Sequence, residues 1–181
     1  MSIAVIDCGG ANLRSVQHAF EQKGYETFVT KNNTQIRQAS HVVIPGVGSA
    51  GRVMDALNTL ELTSVIKSLH QPVLGICIGM QIFYEFSHEQ NTKCLGVFNG
   101  EIKKLPIDQG IKIPQMGWNE VIFNASALSH LNNHYYFANS YYAEKSLDTA
   151  AISDYEIPMS SVVIKNNFIG CQFHPEKSSV A

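Results

Sequence analysis

Cys77 stands in Gly75-Ile76-Cys77-Ile78-Gly79, directly behind the apolar run Pro72-Val73-Leu74. That order predicts a short buried strand, a sharp turn that lifts one side chain above the sheet, and then a helix. It is the pattern of a nucleophile elbow with sulfur in place of oxygen. The flanking glycines fit a turn that leaves no room for a Cβ on either side of the nucleophile. A helix N-terminus beside the sulfur favours the thiolate, which is the reactive form. Near the other end of the chain, Gln172-Phe173-His174-Pro175-Glu176 supplies a base and a carboxylate. Proline keeps His174 extended, and in extended chain residues two apart share a side. Glu176 then reaches the imidazole and fixes its tautomer, as the third member of a triad does. Each segment alone has a plainer reading: Cys77 as a small core residue, His174-Pro175-Glu176 as a surface turn. Their occurrence in one chain favours nucleophilic catalysis by Cys77, His174 and Glu176.

Other residues fit a ligand held over that sulfur. Gln81 lies one helical turn beyond Cys77, on the same face. The loop Pro45-Gly46-Val47-Gly48 follows a buried strand, and its glycines let backbone approach a ligand closely. One N–H from the Val47–Gly48 stretch and one from Ile78 would form an oxyanion hole. The same loop matches GxGxxG, but it is not the first strand–helix turn and has no acidic partner at the required distance. A dinucleotide site is therefore rejected. Ser140, in an aromatic strand, suits either a polar ligand or an ordinary half-buried sheet position. Trp118, the single tryptophan, suits a protein interface or the core. Asp7, Asn12 and Arg14 lie at or just beyond the C-terminal end of the first strand, the usual side for sites in an open α/β sheet. Asn12 also suits a helix cap.

The whole chain sets bounds on this chemistry. Its 181 residues predict one domain, 45% hydrophobic and 15% charged, with a formal charge of −2. That balance gives no basic field for nucleic acid and no polybasic membrane anchor. No apolar run reaches the ~18 residues of a membrane helix, and the N-terminus reads as a strand rather than a signal peptide. The four cysteines, Cys8, Cys77, Cys94 and Cys171, form no CxxC pair. No metal site, no disulfide framework and a cytoplasmic location are expected.

The elements that must position these residues alternate in the first half. Strands are expected at Ile3–Asp7, Tyr25–Thr30, His41–Ile44 and Pro72–Gly75. Helices are expected at Asn12–Lys23, closed by Gly24, then at Gly51–Leu57, Glu61–Leu69 and Cys77–Ser87. Val/Ile/Leu strands alternating with helices predict an α/β fold with a mostly parallel open sheet covered by helices on both faces. The second half reads as antiparallel β additions at Gly96–Leu105, Gly117–Phe123, Tyr135–Ala143, Thr149–Ser153 and Ser161–Gln172. Turns are expected at Asp108-Gln109-Gly110 and Lys165-Asn166-Asn167, and a short helix near Ala125–Leu131.

In their order along the chain, the elbow through Gln81, the loop Pro45–Gly48 and the terminal His174-Pro175-Glu176 resemble the class I, triad-type glutamine amidotransferases. Within that class the start Ile6–Val16, the segment Pro114-Gln115-Met116-Gly117-Trp118-Asn119 and Gln172–Ser178 are similar to the glutaminase subunits of imidazole glycerol phosphate synthase. The resemblance covers nearly the whole chain and implies a single amidotransferase domain over 1–181. It implies glutamine hydrolysis through a Cys77 thioester, with glutamine held by Gly48, Gln81, Ser140 and Tyr141. It also implies no cofactor, and ammonia passed within a heterodimer to a (β/α)8-barrel synthase subunit near Asn12 and Trp118. The chain departs from the family pattern at Asn139 and Gln115, where histidine is commoner, and at Cys8 and Gly9. Family members usually carry a final helix beyond the point where this chain stops, so the resemblance also implies uncovered apolar sheet surface. Two further readings compete: a paralogous subunit feeding ammonia to a sugar-modifying synthase of surface polysaccharide synthesis, and a catalytically silent binding subunit.

Overall fold

Four short β-rich segments begin the chain's parallel layer: β1 (Ser2–Ile6), β2 (Glu26–Thr30), β3 (His41–Ile44) and β4 (Val73–Ile76). The computed structural model describes residues 2–9, 12–46, 48–106 and 112–178. Helices α1 (Leu13–Gln22), α2 (Asn33–Gln38), α3 (Ala50–Thr59) and α4 (Leu62–Lys67) connect these strands. Gly24 follows α1 at φ +82°, the left-handed cap expected there. Helix α2 is absent from the sequence expectation. Its signal is the Asn32 side chain, which accepts from the N–H of Gln35 at 3.1 Å and caps the helix.

After β4 comes α5 (Ile78–Gln81), followed by the short strands β5 (Phe86–Ser87), β6 (Thr92–Lys93) and β7 (Glu101–Lys104). Here the structure corrects the expected helix over Cys77–Ser87, which ends after one turn. The Ile82 carbonyl accepts from the N–H of Leu95, and the Phe83 carbonyl from those of Val97 and Phe98. A continued helix would need those acceptors. Meanwhile Ile82, Phe83 and Tyr84 are buried in the core. Residues 96–100, expected as strand, form a loop with Gly96 and Gly100 at positive φ.

The later strands are β8 (Gln115–Phe123), β9 (Asn133–Asn139), β10 (Tyr141–Ala143), β11 (Thr149–Asp154), β12 (Pro158–Lys165) and β13 (Phe168–Cys171). A 3-10 segment, Ser126–Leu131, occupies the expected short helix. The turn at Asn166 and Asn167 lies where expected, with Asn166 at φ +54°. The turn expected at 108–110 lies outside the described residues. The main sheet runs β2-β1-β3-β4-β13-β12-β11-β8-β9. Its first five strands are parallel and the rest antiparallel, which is the α/β sheet with antiparallel additions that the patterning predicts. A second sheet runs β10-β7-β5-β6. The expected single strand Tyr135–Ala143 breaks at Ser140, where the chain leaves one sheet for the other.

Apolar clusters fill both faces of the main sheet, one around Ile44, Leu57 and Phe83, the other around Val5, Ile76 and Phe137. An apolar groove at the first strands, between Phe20, Leu74 and Ile169, is open, with Ile169 37% exposed.

The elbow packs tightly. A Cβ on Gly79 would collide with the Ile44 carbonyl, and one on Gly75 with the carbonyl of Gly79 and the Phe83 ring. Gly79→Ala should therefore destabilise the fold by roughly 1–3 kcal/mol, read as a lower urea midpoint. An unchanged midpoint would show that the contact between β3 and α5 relaxes freely.

Candidate active site

Strand β13 returns from the end of the chain to lie parallel beside β4, with Ile76 opposite Cys171. The next residues on both strands, Cys77 and Gln172, are therefore neighbours. The Cys77 N–H donates to the Cys171 carbonyl at 2.7 Å, and the chain then turns sharply. Cys77 sits at φ +51°, ψ −107°, a conformation that a residue with a Cβ holds only when its surroundings enforce it. The glycines beside it supply space, while the unusual φ falls on the cysteine itself.

Gln172 is fully buried and donates through Nε2 to the Cys77 sulfur at 3.5 Å. Its Oε1 accepts from Gln81 Nε2 at 2.9 Å, and the same nitrogen reaches the Tyr141 carbonyl at 3.1 Å. A chain of carboxamides thus runs from the sulfur to the β9–β10 break. Sequence reasoning gave Gln172 no role. Its signal was only its place after a strand whose partner was not evident. The expected helix field at the sulfur is reduced, because α5 is a single turn; the Gln172 amide is a donor in contact with it.

His174 is buried, and its N–H donates to the Tyr136 carbonyl at 2.8 Å. It is extended, as expected, but Pro175–Lys177 form a 3-10 turn. Proline at the first helical position starts that turn, and the N–H of Lys177 and Oγ of Ser178 close it on the His174 carbonyl. Glu176 therefore reaches back through a turn rather than along extended chain. His174 Nδ1 donates to Glu176 Oε1 at 2.8 Å, with both side chains at most 4% exposed. This leaves Nε2 for the cysteine side. Burial disfavours the imidazolium, but the hydrogen bonds and charge of Cys77 and Glu176 beside it outweigh that and raise the His174 pKa to about 9. Asn12 Nδ2 also donates to Glu176 Oε1, at 2.9 Å.

Cys77 and His174 open on a cavity of about 330 Å³ whose wall includes Gly48, Ile78, Gln81, Ser140 and Tyr141. Five expected ligand-binding or oxyanion residues are thus brought together. Val47 lies outside the described residues. Ile78 is the first residue of α5, so its N–H has no partner within the helix. Gln81 has its nitrogen engaged, so its carbonyl oxygen is the end left for a ligand. The structure adds Glu89 and Lys177 to the wall; the sequence reading missed both because nothing local ties them to the elbow. Trp118 lies outside the cavity, 52% exposed and edge-on to the Tyr136 ring at 6.2 Å. Lys177 Nζ stands 5.8 Å from the same ring.

The other cysteines are of a different kind. Burial pushes Cys8 up to about 12 and Cys94 up to about 11, and raises Cys171 as well. Beside the cavity, Gln115 and Asn139 face one another in register. Both side-chain polar atoms of Gln115 and the Asn139 Oδ1 are buried without a partner among the described residues. No group of three or more His, Cys, Asp or Glu among those residues is arranged to hold a metal ion.

A parallel-sheet elbow cysteine, a buried imidazole and a carboxylate are the parts of a cysteine amidotransferase site. The sequence model of the family "Glutamine amidotransferase class-I" matches residues 4–181, and this chain belongs to that family. It is 42% identical to imidazole glycerol phosphate synthase subunit HisH of Haemophilus influenzae (strain ATCC 51907 / DSM 11121 / KW20 / Rd), over 98% of this chain and 91% of the relative. It is also 42% identical to the subunit of the same name from Pasteurella multocida, over 99% and 92%. Among solved structures, a glutamine amidotransferase aligns with TM-score 0.77 at 13% identity, over 96% of this chain and 90% of that one. PurLQS from Thermotoga maritima aligns with TM-score 0.73 at 16% identity, over 97% and 87%. These two likenesses concern the fold.

The raised His174 pKa ties stability to pH. The folded state holds this proton more tightly than the unfolded chain, so the contribution is complete below pH ~6.5 and is lost as pH rises through about 9. The stability advantage of the protein over His174→Gln should shrink across that window in urea titrations. An advantage that grows with pH would contradict the assigned charge state.

Proposed function

We propose that this chain is the glutaminase subunit of an imidazole glycerol phosphate synthase: one amidotransferase domain over residues 1–181, working in the cytoplasm as a heterodimer. The observation that carries the reading is the Cys77–His174–Glu176 alignment at one cavity, in a chain 42% identical to HisH subunits over nearly its full length. That identity favours this acceptor pathway over the sugar-modifying alternative. The intact Cys77–His174–Glu176 set disfavours a silent role, which has no chemical need for all three.

L-Glutamine enters the cavity with its side-chain amide at the sulfur. Glu89, whose Oε2 accepts from the Ala50 N–H at 2.7 Å, supplies negative charge for the α-ammonium group. Gly48, Gln81, Ser140 and Tyr141 hold the rest. The Cys77 thiolate attacks the amide carbon, and the N–H of Ile78 and the Val47–Gly48 loop stabilise the oxyanion. His174 gives its Nε2 proton to the leaving nitrogen, the C–N bond breaks, and ammonia departs. His174 then takes a proton from water as the oxygen attacks the γ-glutamyl thioester. The C–S bond breaks, glutamate leaves, and thiolate and imidazolium are restored. Glu176 keeps the proton on Nδ1 throughout.

The ammonia passes to a (β/α)8-barrel cyclase subunit. Met116, paired with the cavity-lining Ala138, and Trp118, paired with Tyr136, are 67% and 52% exposed and form an apolar seat for that subunit, with Lys177 as a cation near the Tyr136 ring. No cofactor takes part. No helix among the described residues is long and apolar enough to cross a membrane.

Cys77→Ala should reduce glutamate release by at least ~10³-fold, measured with and without a histidine-pathway barrel subunit and its ligand. The unmodified chain should be stimulated by that barrel. Turnover indifferent to the barrel would place the acceptor in another pathway. Equal turnover by Cys77→Ala would remove the thioester mechanism.

A further inference from the structure

We propose that Asn12 is a positioning residue of the triad: its side-chain amide anchors the Glu176 carboxylate from the opposite end of the chain, so that Glu176 can hold His174. The inference rests on the glutaminase reading for its kinetic consequence, but the geometry stands on its own.

Glu176 is a buried carboxylate with few donors. Its side chain is 3% exposed, and both of its side-chain hydrogen bonds fall on Oε1, from His174 Nδ1 at 2.8 Å and Asn12 Nδ2 at 2.9 Å. Oε2 is buried with no partner among the described residues. One of the two donors is the imidazole that Glu176 must orient. Asn12 is the other, and it is independent of the proton being moved. A buried charge keeps its place only when hydrogen bonds replace its hydration. With one anchor removed, the carboxylate can rotate about its Cγ–Cδ bond or draw away from the ring.

A second observation supports the assignment. Asn12 stands at the N-cap of α1, where asparagine ordinarily accepts from the second or third N–H of the helix, worth about 1 kcal/mol. Here it makes no such capping bond; its amide turns instead to a carboxylate 164 residues away in sequence. A residue type suited to local capping is used for a long-range contact.

The titratable groups facing His174 are Cys77 from the elbow, Glu176 and Lys177 from the terminal turn, Glu89 across the cavity, and Tyr136 and Tyr141 from β9 and β10. Cys171 of β13 is near enough for the Glu176 charge to raise its thiol pKa. Among these, Glu176 and Cys77 raise the imidazole pKa. Loosening Glu176 therefore lowers the His174 pKa and reduces the imidazolium available to protonate the leaving amide nitrogen.

The test compares the unmodified chain with Asn12→Ala and Asn12→Asp, each alone and combined with Glu176→Gln. Glutamine turnover is measured with the barrel subunit present, and the His174 imidazole is titrated by NMR using His174→Gln for assignment. Asn12→Ala should lower kcat about tenfold with KM changed less than twofold, a part of the ~10²–10⁴ that acid–base groups contribute. The His174 midpoint should move to lower pH. Asn12→Asp, which keeps the side chain's shape but turns an acceptor toward Glu176, should cost more turnover than Asn12→Ala. In the Glu176→Gln background the Asn12→Ala effect should largely vanish, the signature of a coupled pair. Circular dichroism checks that each variant is folded. An unchanged His174 midpoint together with an additive double mutant would overturn the proposal. If the unmodified chain does not turn over glutamine, the functional reading fails, and the His174 titration alone decides the role of Asn12.

Discussion

The parallel pairing of β4 with β13 joins the middle of the chain to its end, and the active residues depend on that pairing. Cys77 and Gln172 each follow the last residue of a paired strand, so the register that sets Ile76 against Cys171 also sets sulfur against amide. One hydrogen bond, from the Cys77 N–H to the Cys171 carbonyl, extends the ladder into the turn. A slip of one residue would reverse which side chains face the cavity. On the other side of β4, β3 ends at the close approach between Ile44 and Gly79 and sets the glycine loop beside the elbow. The site is thus assembled by three adjacent strands ending at one level.

Around this junction, buried polar groups are tied in chains rather than pairs. Gln81 and Gln172 link the sulfur to Tyr141; Asn12 and Glu176 link the imidazole to the first strand–helix loop; Ser178 accepts from the Tyr136 N–H and donates to the His174 carbonyl. Each link satisfies a group that would otherwise be buried alone, at a cost of about 1–3 kcal/mol. The exceptions among the described residues near the cavity are Glu176 Oε2, the Gln115 amide and the Asn139 oxygen. Gln115 and Asn139 face one another in register, so their unpartnered atoms fall together.

Much of this was legible in the sequence. Local patterns identified β3 to the residue, the elbow, the turn at Asn166 and the cavity residues Gly48, Cys77, Ile78 and Gln81, because each depends on near neighbours and on apolar strands bounded by glycine. What was not legible depends on distant partners. The helix after Cys77 ends early because segment 95–98 takes its carbonyls. The aromatic strand breaks at Ser140 because two sheets compete for it. Gln172 and Glu89 reach the site by topology, and Asn12, which also suited a helix cap, makes no capping bond because its amide meets Glu176 at the other end of the chain. The turn at Pro175–Lys177 was misread as extended for the opposite reason: the rule applied to His174 was right, but the proline starts a helical turn one residue later.

The four cysteines divide sharply in their surroundings. Cys8 and Cys94, with thiol pKa values near 12 and 11, carry almost no thiolate at neutral pH, and Cys171 is walled into the core. Only Cys77 borders the cavity. Oxidants and electrophiles that attack thiolate therefore meet, in the folded protein, a single target. Loss of that one thiol removes the nucleophile, so the fraction of protein able to form the thioester equals the fraction of Cys77 that a thiol reagent can still count.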